Sequence, residues 1–219
     1  MAVVAQLATG VAHELRNPLT SIKLLVQNGR EEIALRGVPD DDLDVIEHEI
    51  LRMERSLQAF LEFSRPSQMA HGPVDLAALV DQVFLLVEGR AFEQSVVCVK
   101  TSAGGEPLSL DGDRDRIQQL LLNLVLNALD AMPEGGTLEV NLSPTNDGHL
   151  ELRVLDSGPG ILPKILPRLF EPFVTSKETG VGIGLLISQR IAREHGGTLS
   201  GHNRSDGGAC FVFRVPVSS

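Results

Sequence analysis

The chain contains no tryptophan and no tyrosine among its 219 residues, and its only aromatics are eight phenylalanines. A single-strand nucleic-acid platform made of stacked aromatic rings therefore has little to work with. The charge balance excludes more. Twenty-nine acidic against 19 basic side chains leave a net charge of −10, which argues against nucleic acid or an anionic membrane as the main partner. Only two cysteines occur, Cys98 and Cys210, both in apolar β-like stretches (VVCVK and ACFVF). They read as small buried hydrophobes in a reducing compartment, not as a disulfide or a metal site. The six histidines show no paired ligand spacing. No apolar run reaches the ~18 residues of a spanning helix, and no leader pattern opens the chain. The expected location is cytoplasmic, as a soluble protein or as the cytoplasmic part of a longer membrane-bound one.

What is present divides into two patterns. Residues 1–66 read as a helical hairpin, 67–73 as a linker and 74–219 as a mixed α and β domain. The first helix is expected over Ala2 to Gln27, with Asn28-Gly29 as its stop and Pro18 loosening it internally. On a helical wheel Val4, Leu7, Val11, Leu15, Ile22 and Val26 share one meridian, whereas His13, Asn17 and Thr20 fall on the opposite side. His13 is thus held out to solvent with Glu14 beside it and Asn17 one turn on. That makes it a candidate nucleophile or proton carrier. In the second helix Leu43, Ile46, Ile50, Met53, Leu57 and Phe60 repeat at a/d heptad spacing. One hairpin buries two such stripes poorly and two hairpins bury them well, so the pattern predicts a homodimeric four-helix bundle, the alternative being a hairpin packed on the rest of its own chain.

The second domain is read as helices over Leu76–Phe92, Asp113–Met132 and Ile183–His195. Strands are expected at Val96–Thr101, Leu108–Leu110, Thr137–Leu142, Leu150–Asp156, Thr198–Gly201 and Ala209–Val215. Turns are read at Gly104–Pro107 and Asn146–Gly148. The class is α+β: a mixed sheet covered by helices on one face.

Three places in this domain carry chemistry. The helix QQLLLNLVLNALDAM is apolar on nearly every side, and Asn123, Asn127 and Asp130 form its one polar stripe. Such groups bond local backbone, or they face a cavity where their oxygens hold Mg2+ or a polar ligand. In LDSGPGI, Asp156 ends a strand and Gly158 and Gly160 follow, a turn that lets backbone approach a flat ligand while the carboxylate accepts from an amine. Gly180-Val181-Gly182-Ile183-Gly184 opens into a helix and offers N–H groups to an anion. Ahead of it, FEPFVTSKET (Phe170 to Thr179) reads as a lid over phosphates, anchored by Phe170 and Phe173 with Lys177 as a cation.

Taken together and in this order, the motifs resemble those of the sensor histidine kinases, over nearly the whole chain. His13 with Glu14, Arg16, Asn17 and Pro18 is similar to the H box, Asn123 and Asn127 to the N box, and Asp156 to Gly160 to the G1 box. Phe170-Glu171-Pro172-Phe173 resembles the F box, Gly180 to Gly184 the G2 box, and Gly196-Gly197 the glycine pair after the last helix. Val181 and Ile183 replace the Thr and Leu common in the G2 box, both mild changes.

The resemblance implies a dimeric phosphoacceptor hairpin followed by an ATP-binding sandwich of the Bergerat type. ATP and Mg2+ are the implied cofactors, and a response-regulator receiver domain is the implied partner. By position, His13 would attack the γ-phosphoryl group, Glu14 would take its proton, and Asn17 would orient water in a reverse, phosphatase reaction. Asp156 would receive the adenine amino group. Asn127, assisted by Asn123, would hold Mg2+. Asp130, Gly158, Gly160, Phe170, Phe173, Thr175, Lys177, Gly180, Gly182, Gly184 and Leu185 complete the expected ATP site. Hydrolysing ATPases of the same superfamily have a glutamate where Asn123 stands. An amide there cannot activate water, which favours transfer over hydrolysis. The competing readings are a degenerate nucleotide-binding scaffold and a protein-serine kinase on the same ATP fold.

Overall fold

In the computed structural model, the described residues are Thr20, Ile22, Val26, Ile46, Ile50 and residues 70–103, 108–172, 174–175 and 182–217. The chain divides into two compact units, residues 1–67 with 177–183 and residues 68–176 with 184–219. In the first, the five described hairpin residues are all helical; Val26 and Ile50 are buried, while Ile22 and Ile46 are exposed. His13, Glu14, Asn17 and the rest of the expected heptad stripe lie outside the described residues.

The second unit contains a two-stranded ribbon and a five-stranded sheet. The ribbon pairs β1 (Gly72–Asp75) antiparallel with β3 (Ser109–Gly112). Gly72 and Pro73, read from the sequence as the end of a linker, are therefore the first residues of a strand, where an edge position tolerates proline. The larger sheet has the order β2 (Val96–Ser102), β4 (Gly136–Pro144), β5 (His149–Asp156), β7 (Ala209–Pro216), β6 (Thr198–Asn203). Only the β2–β4 pair is parallel. Along β4 and β5 burial alternates, with Leu138, Val140, Leu142, Leu150, Leu152 and Val154 turned inward.

Helices α1 (Leu76–Glu93), α2 (Arg114–Asp130) and α3 (Gly184–Glu194) cover that apolar face, with α2 between the other two. Asp75 caps α1 by accepting the N–H groups of Ala77 and Ala78 at 2.9 and 3.1 Å. In α2, Ile117, Leu120, Leu121, Leu124, Val125, Ala128 and Leu129 are all buried. Each fully buried leucine there contributes roughly 1.5–3 kcal/mol of transfer free energy. Asp113, read from the sequence as the first helical residue, is the N-cap: it accepts from Arg116 N–H at 3.2 Å and also from Ala70 N–H at 3.0 Å. Its own N–H donates to Nε2 of the buried His195 at 3.0 Å, and the other ring nitrogen lies 2.8 Å from the Ile191 carbonyl. This bond fastens the end of α3 to the start of α2. A short 3-10 turn at Leu166–Arg168 has no counterpart in the sequence reading. No helix among the described residues is long and apolar enough to cross a membrane.

Candidate nucleotide site

Asp156 is the last residue of β5 and is only 3% exposed. Strand register sets Leu155 opposite Cys210, so Asp156 meets the start of β7. Its Oδ1 accepts two backbone N–H groups, from Gly158 at 3.0 Å and from Ala209 at 3.1 Å. Its Oδ2 makes no hydrogen bond among the described residues. Burial raises the pKa of this carboxyl, while the two N–H bonds and the Arg204 guanidinium pull the other way. The result is a fixed carboxylate with one oxygen available to a ligand.

The glycines that follow are spatially constrained. A Cβ on Gly158 would lie 2.8 Å from the Ala131 carbonyl oxygen, just past the end of α2. Gly160 has φ +78°, in the left-handed region that favours glycine. Ser157 ties the same turn to the sheet: its N–H donates to Thr137 O at 3.2 Å, and its Oγ accepts from Thr137 N–H at 2.9 Å. The turn is thus packed against both α2 and β4.

Asn123 and Asn127 lie one turn apart on α2, each half-buried. Asn123 reaches the first turn of α3, where its Nδ2 is 3.4 Å from both Gly184 O and Ser188 Oγ. Ser188 is fully buried and donates to Gly184 O at 3.0 Å. The Oδ1 of Asn123 has no hydrogen bond among the described residues. A Cβ on Gly184 would make only ordinary contact with the Asn123 amide, at 3.9 Å. Asp130, which the sequence groups with the two asparagines, forms an ion pair with Arg90 of α1 at 2.5 Å. The structure thus draws this carboxylate toward α1.

Of the other expected site residues, Gly182 has φ +71°, Phe170 and Leu185 are half-buried, and Thr175 is exposed. Phe173, Lys177 and Gly180 lie outside the described residues. The sequence reading missed the donors from Ala209 and Arg204, the amide of Asn203, and Ser188. A signal existed for Ser188, whose helical spacing sets it on the face of Ile187, Ile191 and Ala192. None existed for the others, because contact across 42 to 53 residues leaves no local pattern.

Two family descriptions match the chain in tandem. The His Kinase A (phospho-acceptor) domain matches residues 4–68, and the Histidine kinase-, DNA gyrase B-, and HSP90-like ATPase matches residues 112–219. The solved catalytic domain of histidine kinase ThkA is 31% identical, with a TM-score of 0.62, over 68% of this chain and 99% of that one. The chain belongs to the sensor histidine kinases. Sensor histidine kinase ZraS of Klebsiella oxytoca is 34% identical over 218 residues, covering 100% of this chain and 47% of ZraS. The chain therefore spans about half the length of that relative. Histidine kinase ThkA solved in complex with response regulator protein TrrA is 28% identical with a TM-score of 0.73, over 97% of this chain and 61% of that one. Membership matches the expected architecture of a phosphoacceptor hairpin followed by a Bergerat-type sandwich with helices on one face.

Proposed function

We propose that the chain is an ATP-dependent protein-histidine kinase that autophosphorylates His13 within a homodimer and passes the phosphoryl group to an aspartate of a response regulator. The observation that carries the ATP half of this reading is the state of Asp156. One carboxylate oxygen is saturated by backbone donors, and the other is left for an exocyclic amine. The motif match assigns the phosphates to Asn123, Asn127 and Gly184, and names Lys177, Gly180 and Gly182 as further phosphate-binding residues.

Mg2+ fits the donor set. Among the described residues no three His, Cys, Asp or Glu side chains cluster to hold a metal ion. Asn123 Nδ2 is taken up by Gly184 and Ser188, and its Oδ1 has no hydrogen bond among the described residues, as suits an ion that keeps waters and shares phosphate oxygens. Asn127, assisted by Asn123, would hold it, and the bound ion would neutralise charge on the phosphates.

For the transfer, a neutral His13 ring nitrogen attacks the γ-phosphorus, the bond to the β–γ bridging oxygen breaks, and ADP leaves. Glu14 takes the proton from the other ring nitrogen. Positioning and charge neutralisation supply most of the acceleration. An amide at Asn123 cannot serve as a base for water, which favours transfer over hydrolysis. The dimer reading is supported by Ile22 and Ile46, hairpin helix residues of the apolar stripes left exposed in the single chain. The TrrA complex of the related ThkA supports a receiver domain as partner. That partnership supports a cytoplasmic location.

Incubation with γ-labelled ATP tests the proposal. The expected label is acid-labile and base-stable, and His13→Ala abolishes it while nucleotide binding persists. Acid-stable label would point to a protein-serine kinase, and no label on a nucleotide-bound protein would point to a degenerate scaffold. Asn17 orients water for dephosphorylation of the regulator in this reading. An Asn17→Ala variant that dephosphorylates at the parental rate would remove that role.

A further inference from the structure

The turn that carries Asp156 is held from behind by the β6–β7 hairpin. At the end of β6, Asn203 accepts Ile161 N–H on Oδ1 at 2.6 Å and donates from Nδ2 to Ile161 O at 2.9 Å. One amide side chain thus serves both backbone groups of Ile161, as a neighbouring strand would. Next to it, Arg204 donates from Nη1 to the backbone carbonyl of Asp156 at 3.2 Å. Its guanidinium is steadied by Asp206, with Nη2 2.6 Å and Nε 3.2 Å from the two carboxylate oxygens. The hairpin tip closes through Arg204 N–H to Gly208 O at 3.0 Å. It presses so closely that a Cβ on Gly208, at φ +85°, would fall 1.9 Å from Asp156 O. The next residue, Ala209, supplies the second N–H to Asp156 Oδ1.

We propose that Asn203 and Arg204 are positioning residues that set the nucleobase preference of this site, by holding the Asp156–Ile161 turn so that Asp156 presents a single free oxygen, Oδ2. The inference rests on the reading of Asp156 as the acceptor for the base. A carboxylate oxygen held in one orientation attracts an amino group and repels a carbonyl oxygen in the same place. Discrimination between an amino purine and an oxo purine then depends on how firmly the turn is held. Asp156 is fastened at its side chain by Ala209 and Gly158, at its carbonyl by Arg204, and at the far end of the turn by Asn203. Neither Asn203 nor Arg204 is required to touch the nucleotide.

The test measures dissociation constants of ATP, GTP and inorganic tripolyphosphate, with Mg2+, for the full chain and its Asn203→Ala, Arg204→Ala, Arg204→Lys and Asp156→Ala variants. Asn203→Ala and Arg204→Ala are each expected to weaken ATP about tenfold, the loss of a hydrogen-bonded restraint. Tripolyphosphate should stay within twofold, and the ATP-to-GTP ratio should narrow by a similar factor. Arg204→Lys should recover part of the loss, and autophosphorylation should show a raised KM with kcat retained at saturating ATP. Equal weakening of ATP and tripolyphosphate would mean a general structural role and overturn the proposal. So would unchanged ATP affinity in both alanine variants while Asp156→Ala loses binding. If Asp156→Ala itself leaves ATP affinity unchanged, the base-site reading fails first, and the hairpin has nothing to position. Arg204→Lys retains the charge at a half-buried position, so it keeps the test decisive if an alanine variant does not fold.

Discussion

The two ends of the proposed nucleotide site are held by different means. At the proposed base end, Asp156 is fastened by one backbone donor from its own turn and one from β7, and neighbouring glycines leave no room for a Cβ. At the proposed phosphate end two helices meet through long contacts: the Asn123 amide lies 3.4 Å from Gly184 O and from Ser188 Oγ, and a Cβ on Gly184 would fit. The base end is thus a rigid acceptor for one donor. The phosphate end is a looser polar surface whose geometry a charged ligand can complete. Rigidity at one end and looser contacts at the other suit the proposed reading, in which the site distinguishes a base and releases a nucleoside diphosphate after transfer.

Breaking the base end at its backbone should have the largest effect. Gly208→Ala places a methyl group against the Asp156 carbonyl at a left-handed φ. The expected loss is roughly 3 kcal/mol of stability by denaturant unfolding. ATP binding by calorimetric titration should disappear with it. Asp156→Asn keeps the shape but sets an amide where two N–H donors converge and a base amine is accepted. ATP affinity should fall by about 10–100-fold, the range for hydrogen bonds to a charged group. The looser end should respond more mildly. Asn127→Ala is expected to weaken Mg-ATP about tenfold and leave nucleotide binding in chelator unchanged. Equal affinity with and without Mg2+ would remove its metal role.

A pH series sharpens the same contrast. Burial raises the Asp156 pKa, so the fold favours the protonated form. Its contribution to stability is present below the ordinary carboxylate pKa and is lost as pH rises through the raised value. Nucleotide binding runs the opposite way, because only the ionised form accepts the base amine. The difference in denaturation midpoint between parent and Asp156→Asn isolates this contribution and should shift against the parent as pH rises through the acidic range, while the parent's ATP affinity should rise over the same range. The smallest effect is expected far from the site, at the β4–β5 tip. There Asp147 is lowered to about 2 by its hydrogen bonds to Thr145 and Arg214 and by the nearby Arg214 and His149 charges. Its contribution should fade only as pH falls from the ordinary carboxylate range towards 2, and Asp147→Asn should leave nucleotide affinity unchanged.

Much of this was readable in the residues. The alternation in β4 and β5, the apolar run of α2 and the order of the motifs around Asn123, Asp156 and Gly184 are local patterns, and local patterns report secondary structure and motif chemistry. What was not legible shares one property. Asn203 and Arg204 look like ordinary hairpin residues, and Asp130 looks like part of the asparagine stripe. Helical spacing groups Asp130 with Asn123, but α1 lies alongside and Arg90 takes its carboxylate. Gly72 and Pro73 read as linker because a ribbon strand is recognisable only when its partner β3 is in place.

The sequence alone therefore determined the family, the order of elements and the residue types that bear the chemistry, since each depends on neighbours within a few positions. Tertiary structure alone decided which oxygen of Asp156 is left free, what holds its turn, and where the Asp130 carboxylate goes. Those outcomes depend on hydrogen bonds and close contacts between segments 40 to 53 residues apart, and no spacing along the chain encodes them.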